Sequence, residues 1–238
     1  MKNIKKLFLL LLFFLTFLIS ICIKDNKVYY ISLGDGLSLG INENNYISNG
    51  YSDYVRDYLN EINKLKFYSK VFSKQDIRIT DLINNINENE FLEVDNKTLY
   101  IQSALNKADL ITISVGLNEI MYKYSNTNSS YLYDYIDSYI QDYVNLIKII
   151  KKYNNKKIIV LGYYNPINEK ELDKYIIYAN DKLINLCNKE KIEYIDLYNI
   201  FKNRNYLIYN LTNYYPNTEG YKLISKEIIK KYKNNVKK

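Results

Sequence analysis

The chain has 238 residues, 47% of them hydrophobic, which suits one sizeable α/β domain after an N-terminal leader and leaves little room for a second. It contains no histidine at all, and only two cysteines, Cys22 and Cys187, so imidazole catalysis, a Cys/His zinc site and an internal disulfide in the folded part are excluded. The net charge of +7 comes with no basic motif of the kind that reads nucleic acid, and no cofactor signature accompanies it.

Lys2, Lys5 and Lys6 precede an apolar run over residues 7–23, broken only by Thr16 and Ser20. Seventeen residues at about 1.5 Å each reach roughly 25 Å, the short end of a bilayer span. Positive charge ahead of the run holds that end in the cytoplasm and sends the downstream chain outside. No small-x-small cleavage site stands near Ile21, Cys22 and Ile23. Residues 1–24 are therefore expected to be a signal anchor in the cell membrane. Cleavage, or lipid attachment at Cys22, is the alternative. Residues 25–238 form the domain, carried outside the membrane. More lysines close the chain, at 230, 231, 233, 237 and 238, where anionic lipid or wall polymer would meet them.

The run at 28–33 ends in Gly34, Asp35 and Gly36 and reads as a buried strand leading into a turn. Residues 52–65 carry Tyr54, Val55, Tyr58, Leu59 and Ile62 at helical spacing, with Ser52 as the expected N-cap. A second strand is expected over 67–72, then helices near 80–86 and 99–106. The stretch 109–115, DLITISV, is β-branched and apolar up to Gly116, the mark of a central parallel strand. A long amphipathic helix over 131–153, a strand over 157–161, a helix over 169–190, a strand over 193–197 and a closing helix over 218–232 complete the order. Strands alternating with helices imply a parallel sheet covered on both faces, with function gathered at the carboxyl ends of the strands. The 28 tyrosines could line a sugar- or nucleic-acid-binding surface, but they come with abundant Asn, Lys and Ile, as codon bias alone would produce.

Four segments in order resemble the SGNH/GDSL hydrolase family: Ile31 to Ser38 (ISLGDGLS), Ala108 to Glu119 (ADLITISVGLNE), Val160 to Pro166 (VLGYYNP) and Tyr214 to Tyr221 (YYPNTEGY). The resemblance implies a three-layer, flavodoxin-like α/β fold and ester hydrolysis by a serine, histidine and aspartate. The departures fall on those residues. Gly36 stands where the family has its nucleophilic serine, Thr212 where it has the aspartate, and Tyr215 where it has the histidine. The glycine of the second block, an oxyanion donor in the family, matches Asp76 when Asp81, Leu82 and Ile83 are aligned with the pair that comes after it. Asn118, which the resemblance implies as a further oxyanion donor, is retained, with Glu119 beside it in place of the family's aspartate.

Gly36 offers no nucleophile, and a phenol with an ordinary pKa near 10 makes Tyr215 a poor base at neutral pH. An acidic Asp76 would repel a developing oxyanion. The expectation is a non-catalytic protein whose cleft, lined by Asp35, Gly36, Asp76, Asn118, Glu119 and Tyr215, binds a cell-envelope glycan, lipid or protein. The competing expectation is an active esterase in which Ser38, two residues past the normal place, is the nucleophile and Asp35 or Glu119 its base. Against it, Ser38 fits the Ser/Thr position that caps the turn into the next helix. A nucleotide-binding flavodoxin-like domain lacks its glycine-rich phosphate loop here.

Overall fold

The computed structural model describes residues 27–94, 96–126, 131–208 and 213–234. Five parallel strands form the main sheet: β1 (Val28–Gly34), β2 (Leu65–Ser69), β5 (Leu110–Ser114), β6 (Lys157–Leu161) and β7 (Glu193–Ile195). Their order is β2-β1-β5-β6-β7. β5 is buried along its whole length, and Leu110, Ile111 and Ile113 stack between layers, which is why a continuous β-branched run rather than an alternating one occupies the centre.

The chain moves to one side of β1 for β2 and returns to the other side for β5, so right-handed crossovers place the connecting helices on opposite faces. On one face α2 (Tyr51–Glu61) packs against the closing helix α9 (Thr218–Asn234). On the other, α3 (Ile79–Asn87) packs on α6 (Leu132–Tyr153), and α6 on α7 (Lys170–Glu190). α6 buries Ile136, Tyr139, Ile140, Tyr143, Leu146, Ile147 and Ile150, a stripe at three- and four-residue spacing that seats it on the sheet. Strand order reverses between β1 and β5. Loops leaving these two strands diverge there and open a crevice at their carboxyl ends.

Several expected boundaries move, each for a local reason. The helix read over 52–65 ends at Glu61, because Asn63 adopts φ 53°, a left-handed turn that releases the chain into β2. Its N-cap is Gly50 rather than Ser52, whose hydroxyl donates to the Ser38 carbonyl and shares a hydrogen bond with Tyr68. The second strand covers 65–69, not 67–72. Helix α4 (Ile101–Lys107) starts two residues late because Lys97–Tyr100 (β4) pairs antiparallel with Phe91–Val94 (β3), a hairpin the pattern did not announce. The last strand stops at Ile195, since Asp196 caps α8 (Leu197–Phe201) by accepting from Asn199 N–H. Two short helices also went unread: α1 (Gly36–Leu39) and α5 (Leu117–Asn126).

The expected membrane anchor at 1–24 lies outside the described residues, as does Thr212. Among the described residues no helix is long and apolar enough to cross a membrane.

Candidate functional site

The crevice is built from the ends of β1 and β5. Gly34 closes β1 at φ 145°, and a Cβ there would overlap the Ser114 carbonyl of β5, so only glycine lets the two strand ends approach this closely. Asp35 comes next and caps α1, its carboxylate accepting the Leu37 N–H at 3.0 Å. That carboxyl is almost wholly buried, 3% exposed, and no cation among the described residues acts on it. Burial pushes it up to about 7, against the pull of the Leu37 N–H, with the charges of Glu119 and Asp76 adding to the rise.

At Gly36 the missing side chain is replaced from across the cleft. A Cβ on Gly36 would overlap the hydroxyl end of the Tyr215 ring, with Cε2 2.8 Å away. The Tyr215 hydroxyl accepts a hydrogen bond from Asn118 Nδ2 at 2.9 Å and donates to the Gln75 carbonyl at 3.3 Å. Gln75 O also accepts from Asn118 Nδ2 at 3.1 Å and from the Gly36 N–H at 3.2 Å. The Gly36 amide and the Asn118 side chain thus converge on acceptors of the protein itself. Burial, and then the Asp35 charge, hold the Tyr215 phenol well above its ordinary value, so it stays protonated.

Glu119, one residue beyond Asn118 in the first turn of α5, accepts the Ile79 N–H at 3.3 Å. Burial raises its carboxyl to about 7; the Ile79 N–H and Arg78 oppose the rise, while Asp142 and Asp81 add to it. Asp76 is exposed at the rim. Beyond the Tyr215 contact the crevice opens into a cleft of about 560 Å³ lined by Asp76, Ile77, Arg78, Asn118, Glu119, Tyr122, Lys123 and Tyr135.

The structure therefore lines the open cleft with Asp76, Asn118 and Glu119, sets Tyr215 and Gly36 against Asn118 at its closed end, and buries Asp35 away from it, beside a small separate cavity that Tyr215 also borders. Ser38 is elsewhere. It faces the core with no exposure, shares a hydrogen bond with Ser32 Oγ at 2.6 Å and receives one from Ser73 Oγ at 2.8 Å. Its hydroxyl neither caps the turn, a role Asp35 takes, nor reaches Asp35 or Glu119 in any hydrogen bond. Sequence reasoning missed Gln75, which contributes only a backbone carbonyl and has no residue-type signal. It also missed Arg78, Tyr122 and Lys123; for the last two, Leu117, Ile120, Met121 and Tyr124 at helical spacing would have revealed α5.

A parallel sheet between helix layers, with its crevice at the β1/β5 switch point, defines an SGNH-type α/β protein, and the profile of the GDSL-like lipase/acylhydrolase family matches residues 30–228. The chain belongs to that family. It is 24% identical over 209 residues to the spore germination lipase LipC of Bacillus licheniformis, covering 84% of this chain and 93% of that protein. Among solved structures it superposes on the lipase Lip_vut3 from a goat rumen metagenome with a TM-score of 0.69 at 21% identity, over 84% of this chain and 95% of the other. Axe2, an acetylxylan esterase from Geobacillus stearothermophilus, gives a TM-score of 0.64 at 14% identity, over 84% and 92%. At these identities the superpositions establish the fold.

Proposed function

We propose that this chain is a non-catalytic member of its family, held outside the cell membrane by its N-terminal segment, whose cleft binds an envelope glycan, lipid or protein without turning it over. The observation that carries this reading is the Tyr215 hydroxyl. It fills the space left by Gly36, accepts from Asn118, and with the Gln75 carbonyl takes up the donors an acyl oxyanion would need. No imidazole is available as base, for the chain has no histidine, and Tyr215 is a phenol held protonated. The two raised carboxyls, Asp35 and Glu119, meet the Leu37 and Ile79 N–H groups and no nucleophilic hydroxyl among the described residues. Any activity that did exist would be ester hydrolysis of the GDSL type, as in the named relatives, and Ser38 is buried too deeply in hydroxyl contacts to start it.

The test is direct. The purified full chain should hydrolyse short-chain aryl esters no faster than a heat-treated control, and a fluorophosphonate probe should leave it unlabelled. Labelling that disappears in Ser38→Ala would overturn the reading. Orientation is tested separately: protease added to intact spheroplasts should digest the domain, and full protection would refute placement outside the membrane.

A further inference from the structure

We infer that the amino-terminal edge of the main sheet is a docking face for anionic phospholipid headgroups, which lays that edge on the bilayer and turns the crevice away from it. This rests on the reading that the N-terminal segment is held in the membrane, and it adds how the folded domain stands there.

The strands are parallel, so all five start on one edge, and each is entered past a lysine: Lys27, Lys64, Lys107, Lys156 and Lys191 come just before β1, β2, β5, β6 and β7. Helices end there too, since α2, α4, α6 and α7 each lead straight into a strand, and α9 brings Lys231 to Glu193 at the start of β7. Lysine at a helix C-terminus has an ordinary use, to satisfy the last carbonyls and the negative end of the dipole. Lys151 and Lys157 take that role, donating to the Glu190 and Lys231 carbonyls. Three carboxylates are served as well: Asp109 pairs with Lys156, Glu190 with Lys151 and Glu193 with Lys231. Lys64, Lys107, Lys152 and Lys191 are left with no carboxylate within 4 Å among the described residues, and the last three of them are exposed. They outnumber Glu61, which stands exposed at the end of α2. Cations in excess after the helix ends and carboxylates are satisfied complement a surface of negative charge.

The point where the chain enters the domain selects the surface. The apolar run stops at Ile23, and the four steps from there to Lys27 span at most about 14 Å when fully extended. With the run in a bilayer, the edge that carries Lys27 stands within a gap comparable to the Debye length, about 8 Å at physiological salt. At that range each lysine adds an about fivefold preference for an anionic surface. β1 then carries the chain roughly 23 Å from this edge, at about 3.3 Å per residue, before Gly34 opens the crevice. The crevice is thereby presented on the side away from the membrane.

Energy transfer to labelled headgroups tests this in the full chain, reconstituted in phosphatidylcholine vesicles with or without about a quarter of phosphatidylglycerol. The dye is attached through Asn155→Cys, on the loop entering β6, or through Tyr46→Cys, beyond the opposite edge, each combined with Cys22→Ser; Cys187 is buried. Transfer from position 155 should rise about threefold with phosphatidylglycerol and fall back in about 0.5 M salt, while position 46 stays low throughout. Lys64→Gln, Lys107→Gln, Lys152→Gln and Lys191→Gln together should abolish the rise without lowering the unfolding temperature. Transfer from position 155 that ignores phosphatidylglycerol or salt, a rise that persists in the fourfold variant, or greater transfer from position 46 would each overturn the assignment. So would release of the domain by soluble polyglycerol phosphate at equal phosphate concentration, which would give the face to a wall polymer. Failure of the chain to float with neutral vesicles would instead sink the anchor. Flotation that requires phosphatidylglycerol and is lost in the fourfold variant would then uphold the face alone, and flotation that the variant retains would overturn it.

Discussion

Gly36 and Ser38 lie on the same four-residue helix, and the two sides of that helix obey opposite rules. On the core side Ser38 joins a set of neutral hydroxyls that satisfy one another: Ser32 bonds Ser38, Tyr51 at 3.1 Å and Thr112 at 3.0 Å, and Tyr51 donates to Ser114 at 3.2 Å. On the other side Asp35 is buried with no cation among the described residues acting on it, and the Tyr215 ring fills the volume beside Gly36. A buried hydroxyl cluster with its bonds made costs little, whereas a buried carboxylate without a cation is expensive. The molecule satisfies its hydroxyls on the core side of α1 and leaves a buried carboxyl without a charged partner on the other. Hydroxyl groups near the motif are therefore no sign of a nucleophile here; the side of α1 on which they stand is what matters.

The largest expected effect breaks that contrast by restoring the cleft side. Gly36→Ser, Thr212→Asp and Tyr215→His together remove the ring that blocks Gly36 and supply a nucleophile, a base and its carboxylate, while the Gln75 carbonyl keeps its bonds to Asn118 Nδ2 and the Gly36 amide. The triple variant should hydrolyse aryl esters about 10³-fold faster than the parent and accept a fluorophosphonate label, while each single change gains nothing, because triad members act as a unit. Parent-level turnover in a folded triple variant would show that Gln75 and Asp76, not the missing triad, keep the cleft inert.

The next effect is electrostatic. Asp35 is raised to about 7 when folded, so it holds its proton more tightly in the native state than in the unfolded chain. Its contribution is fully present below the unfolded value near 3.8 and is lost as pH rises to about 7. Asp35→Asn keeps an acceptor for Leu37 N–H and removes the charge. At pH 8 the variant should be more stable than the parent by about 3 kcal/mol in urea unfolding, and near pH 4 the two should coincide. Glu119 is raised in the same sense, so a shallower fall should persist in the variant. Equal pH profiles would mean that Asp35 carries no unrelieved charge, and the contrast between the two sides of α1 would fail.

Much of this geometry was legible and some was not, for identifiable reasons. β1 and β5 announce themselves because both faces are buried, β1 as a short apolar run and β5 as a β-branched one, each leading to a glycine. The four blocks, each at a strand end or before the last helix, place Gly36, Asn118 and Tyr215 near one another without any knowledge of side-chain direction. Direction is what the letters withhold. That Ser38 turns inward is set by its partners Ser32 and Ser73, which lie six residues before it and 35 after it. The block on the oxyanion donors comes from a backbone carbonyl at Gln75, which any residue could supply. The β3–β4 hairpin hides because neither strand buries a residue and its apolar Phe91 and Tyr100, whose rings pair 5.5 Å apart, stand on the exposed side, against the apolar-in, polar-out pattern of a strand.

A smaller effect sharpens the Gly36 and Tyr215 pairing. Gly36→Ser alone inserts atoms into space the Tyr215 ring already fills, and overpacking of this kind costs about 2 kcal/mol. In a Tyr215→Ala background the same change should cost almost nothing, so a double-mutant cycle read by urea unfolding should give a coupling close to the whole single-mutant cost. Additive values would mean that the ring moves aside freely and does not plug the site.

The smallest expected effect tests the core side alone. Ser38→Ala deletes one hydroxyl from a cluster whose other members retain partners: Ser32 still meets Tyr51 and Thr112, and Ser73 Oγ still donates to the Ser32 carbonyl at 3.2 Å. The loss should therefore be that of a single net hydrogen bond, about 1 kcal/mol, rather than the larger penalty of orphaning a buried donor. Ser32→Ala should cost more, because Ser32 is the point where Ser38, Tyr51 and Thr112 meet, and its removal strips a partner from each. Urea unfolding of the two variants decides the order. If Ser38→Ala proved the costlier, the network would be organised around α1 and not around β1. Satisfaction of the core hydroxyls would then depend on the very helix that carries Gly36, and the two sides of α1 could no longer be treated as separate.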